Sequence, residues 1–319
     1  MSQPYDIIGD IHGHADHLTG LLRKLGYDDS SGVFRHPEHR KVVFLGDYVD
    51  RGPKIRETLR IVRGMCEAGT AVALMGNHEF NAIAYATPDE NGGWLREHSE
   101  QKTAQHQATL DQLANPHPEE WKDWMDWFST LPMSLDLGGF RAAHAGWNNE
   151  AVAIMNQFPV KKGTPLQRMC QHGTDEYRCR EELLNGMELN LPNGEIYLDK
   201  MGFPRREIRI KWWVAQRGKK YCDLVFPETE SAPAGDIPDE AINSLHVPYP
   251  VNAPPFFMGH YWLPPVRIPA PLTPNIACLD YSVARQGFLC AYRWDGEQVL
   301  MSEKFTTFGD LRKADPTSH

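Results

Sequence analysis

Three short apolar segments in the first part of the chain each end in glycine followed by a polar residue. The segments span residues 5–9, 41–46 and 71–76, and the residues after them are Asp10, Asp47 and Asn77. The sequence between the segments has leucine, isoleucine and valine at helical spacing. Short apolar strands that alternate with amphipathic helices predict a parallel βαβ core.

The carboxyl ends of adjacent parallel strands lie at one edge of a sheet, and ligands of open α/β sheets bind there. That edge would therefore gather the polar residues after the three strands, which are Asp10, His12, Asp47, Asn77 and His78. One Gly-Asp or Gly-Asn pair is an ordinary turn or helix cap. Three pairs at successive strand ends predict a ligand set, and carboxylate, amide and imidazole groups suit manganese, iron or zinc better than calcium.

The rest of the chain adds elements around this core. Gly138-Gly139 predicts a hairpin, and Asp295-Gly296 predicts a second one between residues 287–294 and 298–305. Trp121, Trp124 and Phe128 form a helical stripe that is typical of core packing. We expect one α/β domain over residues 1–319, with helical and loop insertions at about 81–132 and 157–255.

Composition and charge limit the classes of function. A net charge of −9 argues against a protein that binds nucleic acid, although bound cations would still let an acidic chain bind phosphates. The six cysteines include no CxxC pair, so we expect reduced thiols. No signal peptide or membrane-spanning stretch is evident, which predicts a soluble cytoplasmic chain without a membrane partner.

The motifs GDIHG (9–13), GDYVDRG (46–52) and GNHE (76–79) resemble those of the calcineurin-like metallophosphoesterases, in the phosphoprotein phosphatase (serine/threonine phosphatase-like) branch. His144 in AHAG, His260 in MGHYW and Asp280 in CLDYS match later family positions. The segment YDIIGDIHG is similar to bacterial members, which include protein phosphatases and dinucleoside tetraphosphatases. The resemblance implies mixed sheets packed as a sandwich and flanked by helices. The pair Ala145-Gly146 departs from the two glycines of eukaryotic protein phosphatases, and residues 157–255 match no family pattern.

The resemblance also implies a site with two divalent or trivalent metal ions, with manganese preferred and iron or zinc as alternatives. The first ion would be held by Asp10, His12 and Asp47. Asp47 would bridge to the second ion, which Asn77, His144 and His260 would complete. Ions about 3.5–4 Å apart would activate a bridging water as hydroxide for in-line attack on phosphorus.

Further roles follow from the same resemblance. His78 would protonate the leaving oxygen, oriented by Asp50. Arg51 and Asn77 would bind substrate phosphate, for which the forked guanidinium is suited. The basic strand pattern of residues 205–214 offers a second arginine, and Arg209 is the first choice, followed by Arg206 and Lys211. Tryptophans on that strand would be free to stack a nucleobase.

The sequence therefore predicts a metal-dependent phosphatase that hydrolyses phosphomonoesters, including serine/threonine phosphoproteins. The alternative is a dinucleoside tetraphosphatase or another nucleotide pyrophosphohydrolase, so the partner is a phosphoprotein or a nucleotide. A third hypothesis is a non-catalytic binding scaffold. Loss of a metal ligand or of His78 would favour it, and neither is lost.

Overall fold

A computed structural model describes residues 3–157, 160, 163–198, 204–229, 232–243, 248–265 and 268–309. Its α-helices are α1 (Ala15–Lys24), α2 (Ile55–Glu67), α3 (Asn77–Tyr85), α4 (Glu100–Thr109), α5 (Pro118–Phe128), α6 (Asn149–Met155), α7 (Thr164–Cys170), α8 (Asp175–Leu184), α9 (Tyr221–Leu224) and α10 (Asp239–Asn243). Its strands are β1 (Tyr5–Ile8), β2 (Lys41–Phe44), β3 (Ala71–Ala73), β4 (Ser134–Asp136), β5 (Arg141–Ala143), β6 (Glu188–Asn190), β7 (Tyr197–Leu198), β8 (Pro204–Arg205), β9 (Glu207–Arg209), β10 (Phe256–Met258), β11 (Ile276–Cys278), β12 (Asp280–Tyr281), β13 (Phe288–Trp294) and β14 (Phe305–Phe308).

The larger sheet contains the predicted βαβ core. Its strand order is β12-β13-β1-β2-β3, and β14 pairs with β13. β1, β2 and β3 are parallel, whereas β13 runs antiparallel to β1. The first three strands therefore end at one edge, and each is followed there by the polar residue that the sequence predicts.

Both faces of this sheet are buried, and the alternation of side chains along each strand explains how. On β1, Ile8 packs into a core shared with the helices, whereas Ile7 packs into a core shared with the second sheet. Val42 and Val43 of β2 divide between the two cores in the same way. Helices on one face and a sheet on the other produce the mixed α/β sandwich that the motifs predict.

The second sheet brings later parts of the chain to the same edge. Its order is β11-β10-β5-β4, and β10 is parallel to both β5 and β11. His144 follows β5, and His260 lies just beyond β10. The predicted hairpin at Gly138-Gly139 joins β4 to β5, with Ser134 opposite Ala143. The two sheets thus point parallel strand ends toward one place.

Two sequence predictions need correction. The strand that returns after Asp295-Gly296 is β14, which begins at Phe305 and not at residue 298. The residues just before β14, Ser302–Lys304, form a 3-10 helix instead of a strand. Lys304 Nζ holds this segment against the turn by binding the carboxylates of Asp295 at 2.7 Å and Glu297 at 3.0 Å.

The second correction concerns the segment 205–214, whose pattern predicts one alternating strand, whereas β9 ends at Arg209. The chain turns after Ile210, where the N–H of Trp212 donates to the Ile210 carbonyl at 2.9 Å. Trp212 is 1% exposed and Trp213 is 7% exposed, and both pack in the core between the sheets. The prediction that they could stack a nucleobase is therefore wrong.

Other features follow the sequence. Trp124 and Phe128 are buried, and Trp121 is partly buried against the same core. All six cysteines are free thiols. In the part of the chain that the structure describes, no helix is long and apolar enough to cross a bilayer.

Candidate metal centre and substrate cleft

Asp47 lies at the centre of a buried group of imidazoles. Its Oδ1 is 3.3 Å from His144 Nε2, and its Oδ2 is 3.5 Å from His12 Nε2 and 3.8 Å from His78 Nε2. Ligand atoms of His12, Asp47 and His78 all lie within 4.8 Å of one another, and so do those of Asp47, His144 and His260. Asp47 belongs to both groups, which is the arrangement expected of a carboxylate shared by two cations.

Backbone carbonyls orient two of these imidazoles. His12 Nδ1 lies 2.9 Å from the Val49 carbonyl, and His144 Nδ1 lies 2.8 Å from the Leu45 carbonyl. A carbonyl only accepts, so each Nδ1 carries the hydrogen and each Nε2 faces Asp47. This second hydrogen bond is the usual support of a metal-binding histidine.

Asn77 lies between the two late histidines. Its Oδ1 is 3.0 Å from His144 Nε2 and 3.1 Å from His260 Nδ1. The Nε2 of His260 is buried and has no hydrogen-bond partner among the described residues. The structure therefore brings Asn77, His144 and His260 together as the sequence predicts.

Asp10 lies beside this group, but its carboxylate is turned toward the backbone N–H of His260, at 3.1 and 3.2 Å. Burial and the nearby Asp280 and Asp47 carboxylates raise its pKa. Asp280 is also buried, and it accepts the backbone N–H groups of Trp262 at 2.7 Å and Ser282 at 2.9 Å. Three buried carboxylates at such close quarters favour a bound cation.

The donor set fits metal ions. Burial lowers the pKa of His144, but the nearby Asp47 and Asp10 carboxylates raise it by more, to about 10. A metal ion competes with that proton for the same nitrogen. The group also contains the unpartnered His260 nitrogen and the clustered carboxylates. Its nitrogen and oxygen donors therefore form a candidate metal centre.

His78 and Asp50 form the predicted pair, with His78 Nδ1 2.5 Å from Asp50 Oδ2. No sequence motif includes His106, yet its Nδ1 lies 2.7 Å from Asp50 Oδ1, and Thr109 Oγ1 donates to the same oxygen at 2.5 Å. Although burial opposes it, the hydrogen bonds from His106 and His78 lower the pKa of Asp50. Asp50 is therefore a carboxylate held between two imidazoles.

Glu79 holds the backbone around Asp47. Its buried carboxylate accepts the N–H groups of Asp47 at 2.8 Å, Tyr48 at 2.8 Å, Val49 at 3.2 Å and Gly76 at 3.0 Å. Burial and the Asp47 charge raise its pKa to about 7. Glu79 thus supports the site loop from behind and is not among the groups that face His12 and His144.

The backbone of the site is concentrated in a region that side chains seldom occupy. Among the described residues, six non-glycine residues with positive φ lie here: His12 (44°), Asp47 (55°), Asp50 (67°), Arg51 (69°), His260 (71°) and Trp262 (53°). Left-handed backbone costs roughly 1–2 kcal/mol per residue and persists where surrounding contacts enforce it. The Glu79 and Asp280 hydrogen bonds supply part of that enforcement.

Arg51 extends from the Asp50 turn over the imidazoles. Its Nη1 lies 3.1 Å from His12 Nε2, and its Nη2 lies 3.2 Å from His78 Nε2. The Arg51 guanidinium carbon is 3.8 Å from the centre of the Trp262 ring, and that of Arg285 is 4.3 Å from it. Trp262 therefore supports two cations at the mouth of the site.

A cleft of about 1290 Å³ leads away from these residues. Six arginines line it, namely Arg51, Arg96, Arg205, Arg206, Arg209 and Arg285. Arg209 is in the cleft, as the sequence predicts, but its Nε is 3.3 Å from Glu188 Oε1. Lys211 instead binds Glu228 at 3.1 Å and lines a smaller pocket elsewhere.

Residues 4–222 match the family model described as calcineurin-like phosphoesterase, and the chain belongs to that family. It is a metallophosphoesterase, and therefore a hydrolase. The family match ends before His260, which follows β10 of the second sheet, and before Asp280, which begins β12 at the end of the larger sheet.

Two relatives and one solved structure are similar to parts or nearly all of this chain. The chain is 38% identical to the asymmetrical bis(5'-nucleosyl)-tetraphosphatase PrpE of Bacillus subtilis (strain 168) over 146 residues, which are 44% of this chain and 57% of that one. It is 46% identical to PrpE of Halalkalibacterium halodurans over 74 residues, 23% of this chain and 30% of that one. The chain thus spans little more than half of the first relative. A solved protein serine/threonine phosphatase from Saccharomyces cerevisiae aligns with 98% of this chain and 82% of its own, at 15% identity and a TM-score of 0.49.

Proposed function

We propose that this protein is a two-metal-ion phosphohydrolase that cleaves nucleotide anhydrides of the dinucleoside polyphosphate class. The observation that carries the proposal is the arginine-lined cleft, which continues well beyond the candidate metal centre. One phosphomonoester needs cations at a single point, whereas a polyphosphate chain needs them along a line. The sequence motifs alone favour phosphomonoesters as substrates. The cleft and the similarity to the PrpE proteins favour dinucleoside polyphosphates instead.

The proposed ligands are those named from the sequence. Asp10, His12 and Asp47 would hold one ion, and Asp47, Asn77, His144 and His260 would hold the other. When bound, two ions would activate water and polarise the phosphoryl group. His78 would transfer a proton to the leaving oxygen, and Asp50 would keep its imidazole in position through the 2.5 Å contact. Arg51 and Asn77 would bind the reacting phosphoryl group, with Arg209 farther along the cleft.

We expect the protein with Mn²⁺ to hydrolyse diadenosine tetraphosphate at least tenfold more efficiently than phosphoserine peptides or p-nitrophenyl phosphate. The assay compares kcat/KM across these substrates with Mn²⁺, Fe²⁺ and Zn²⁺, and chromatography of the nucleotide products distinguishes symmetrical from asymmetrical cleavage. Higher efficiency on phosphopeptides would overturn the anhydride proposal in favour of a protein phosphatase. Activity that survives removal of metal by a chelator would overturn the two-metal mechanism.

His106 provides a test of how His78 is positioned. We expect His106→Leu to lower kcat about tenfold, a fraction of the usual contribution of acid catalysis, because Asp50 loses one of its donors. The loss should be larger for phenyl phosphate than for p-nitrophenyl phosphate, because phenolate is a poorer leaving group than p-nitrophenolate and depends more on protonation. His106→Gln keeps an N–H donor and should recover part of the rate. Equal losses on both esters would indicate a merely structural role.

A further inference from the structure

Arg96 lies on the wall of the cleft formed by α3 and α4, in a segment that matches no family motif. Its Nη1 donates to Asn81 Oδ1 at 2.8 Å, and its Nη2 donates to Gln105 Oε1 at 3.1 Å. Its backbone N–H donates to the Ala84 carbonyl at 3.1 Å, which anchors the segment to the end of α3. The guanidinium is therefore fixed in position by two neutral amides.

The charge of Arg96 is not neutralised at contact distance. Within the described parts of the chain, no carboxylate oxygen lies within 4.0 Å of its guanidinium. Most arginines on the protein surface have such a partner, as Arg23 has in Asp29 at 3.3 Å, and in the cleft Arg209 has Glu188. Burial lowers the pKa of Arg96, and nearby Arg180 lowers it further. A half-buried guanidinium held by neutral groups is suited to an anionic ligand.

The position of Arg96 relative to the candidate metal centre indicates which anion it would bind. Asn81 lies four residues after Asn77 on α3, so both are on one face of the helix and about 6 Å apart along it. Asn77, His78, Asn81, Arg96 and Gln105 line the same cleft. Asp50 is close enough to Arg96 to act on its pKa. A short phosphoanhydride chain spans this distance from the reacting phosphoryl group.

We infer that Arg96, Asn81 and Gln105 form a distal phosphate subsite that binds a phosphate beyond the one that is attacked. Arg96 supplies the charge, and a guanidinium has five N–H donors, so the two amide contacts leave donors for phosphate oxygens. The amide N–H groups of Asn81 and Gln105 add neutral donors. This inference rests on the proposed function and deepens it, because binding at Arg96 would make affinity depend on the length of the phosphate chain.

Binding of inorganic tripolyphosphate and of orthophosphate to Mn²⁺-loaded protein tests the subsite. Isothermal titration would be carried out in the presence of excess Mn²⁺ and in a His78→Asn background that slows turnover. We expect Arg96→Gln to weaken tripolyphosphate binding about tenfold or more, the scale of one charge-assisted contact, and to leave orthophosphate within about twofold. Arg96→Lys, which keeps the charge, should recover part of the loss. Arg23→Gln is the matched surface control and should change neither affinity.

Equal weakening of both ligands, or no change in either, would overturn the subsite. The subsite would also be overturned if the His78→Asn protein with Arg96 intact bound tripolyphosphate no more tightly than orthophosphate. In steady-state assays, Arg96→Gln should raise KM for diadenosine tetraphosphate and leave the KM for p-nitrophenyl phosphate unchanged. If the protein hydrolyses only monoesters, the anhydride proposal fails, but the titration still decides whether Arg96 binds a distal phosphate. Thermal melting of each variant verifies that the fold is retained.

Discussion

Asp47→Asn is expected to lower turnover by at least about 10³-fold and to reduce bound metal from two ions to fewer than one. Among the described residues, the imidazoles of His12, His78 and His144 lie 3.3–3.8 Å from this carboxylate, and the His78 backbone N–H donates to it at 3.0 Å. An amide keeps one acceptor but replaces the other with a donor and removes the shared charge. A loss of about 4 kcal/mol of Lewis-acid stabilisation corresponds to that rate factor.

Asparagine is the informative replacement because it has nearly the same shape and tolerates the left-handed backbone of Asp47, where φ is 55°. The variant should therefore fold. Elemental analysis after gel filtration measures the bound metal, and steady-state kinetics measure the rate. Asp16→Asn is the matched control, because it removes an exposed carboxylate whose ion pair is with Lys54 at 2.8 Å, away from the imidazoles around Asp47. Full retention of two ions by Asp47→Asn would rule out Asp47 as the bridging ligand.

His78→Asn is expected to lower kcat about 10²–10⁴-fold while both metal ions remain bound. The expected loss follows from the proposed proton transfer, since asparagine cannot donate a proton to the leaving oxygen. The structure also raises a competing role, because His78 lies within 4.8 Å of the ligand atoms of His12 and Asp47. A ligand role would be revealed by the metal content and not by the rate alone.

Kinetics and elemental analysis of the same preparation separate the two roles. An acid should show a rate loss that grows as the leaving group becomes poorer, with unchanged metal content. Loss of one ion in His78→Asn, with equal rate losses on good and poor leaving groups, would make His78 a ligand and remove its proposed acid role. His172→Asn is the control, because His172 is exposed and outside the cleft.

Much of the site was predictable because parallel strands impose a simple rule on side chains. Once residues 5–9, 41–46 and 71–76 are predicted as strands, their carboxyl ends must meet, and Asp47 and Asn77 must approach one another. His144 and His260 required the family resemblance, because short strands in a second sheet leave little local pattern. The structure confirms that all four lie together.

The parts that could not be predicted depend on tertiary contacts without a periodic signal. His106 lies on a polar helix, and nothing in the sequence indicates that this helix packs on the Asp50 turn. Arg96 lies outside every motif, and it is held by the amides of Asn81 and Gln105, which come from two different helices. Trp212 and Trp213 follow a strand pattern, but the turn after Ile210 directs both into the core. The local sequence pattern is therefore misleading for Trp212 and Trp213, and no local pattern marks His106 or Arg96.

The division of the proposed metal ligands between two sheets has a consequence for how the protein assembles. The first sheet provides Asp10 and Asp47 early in synthesis, whereas His260 follows β10, near the far end of the chain. A nascent chain therefore holds only a partial set of donors, and long-range contacts form late because their loops are costly to close. Metal loading should follow the docking of the second sheet, and because bound ions stabilise only the native state, they lock that docking once it has occurred.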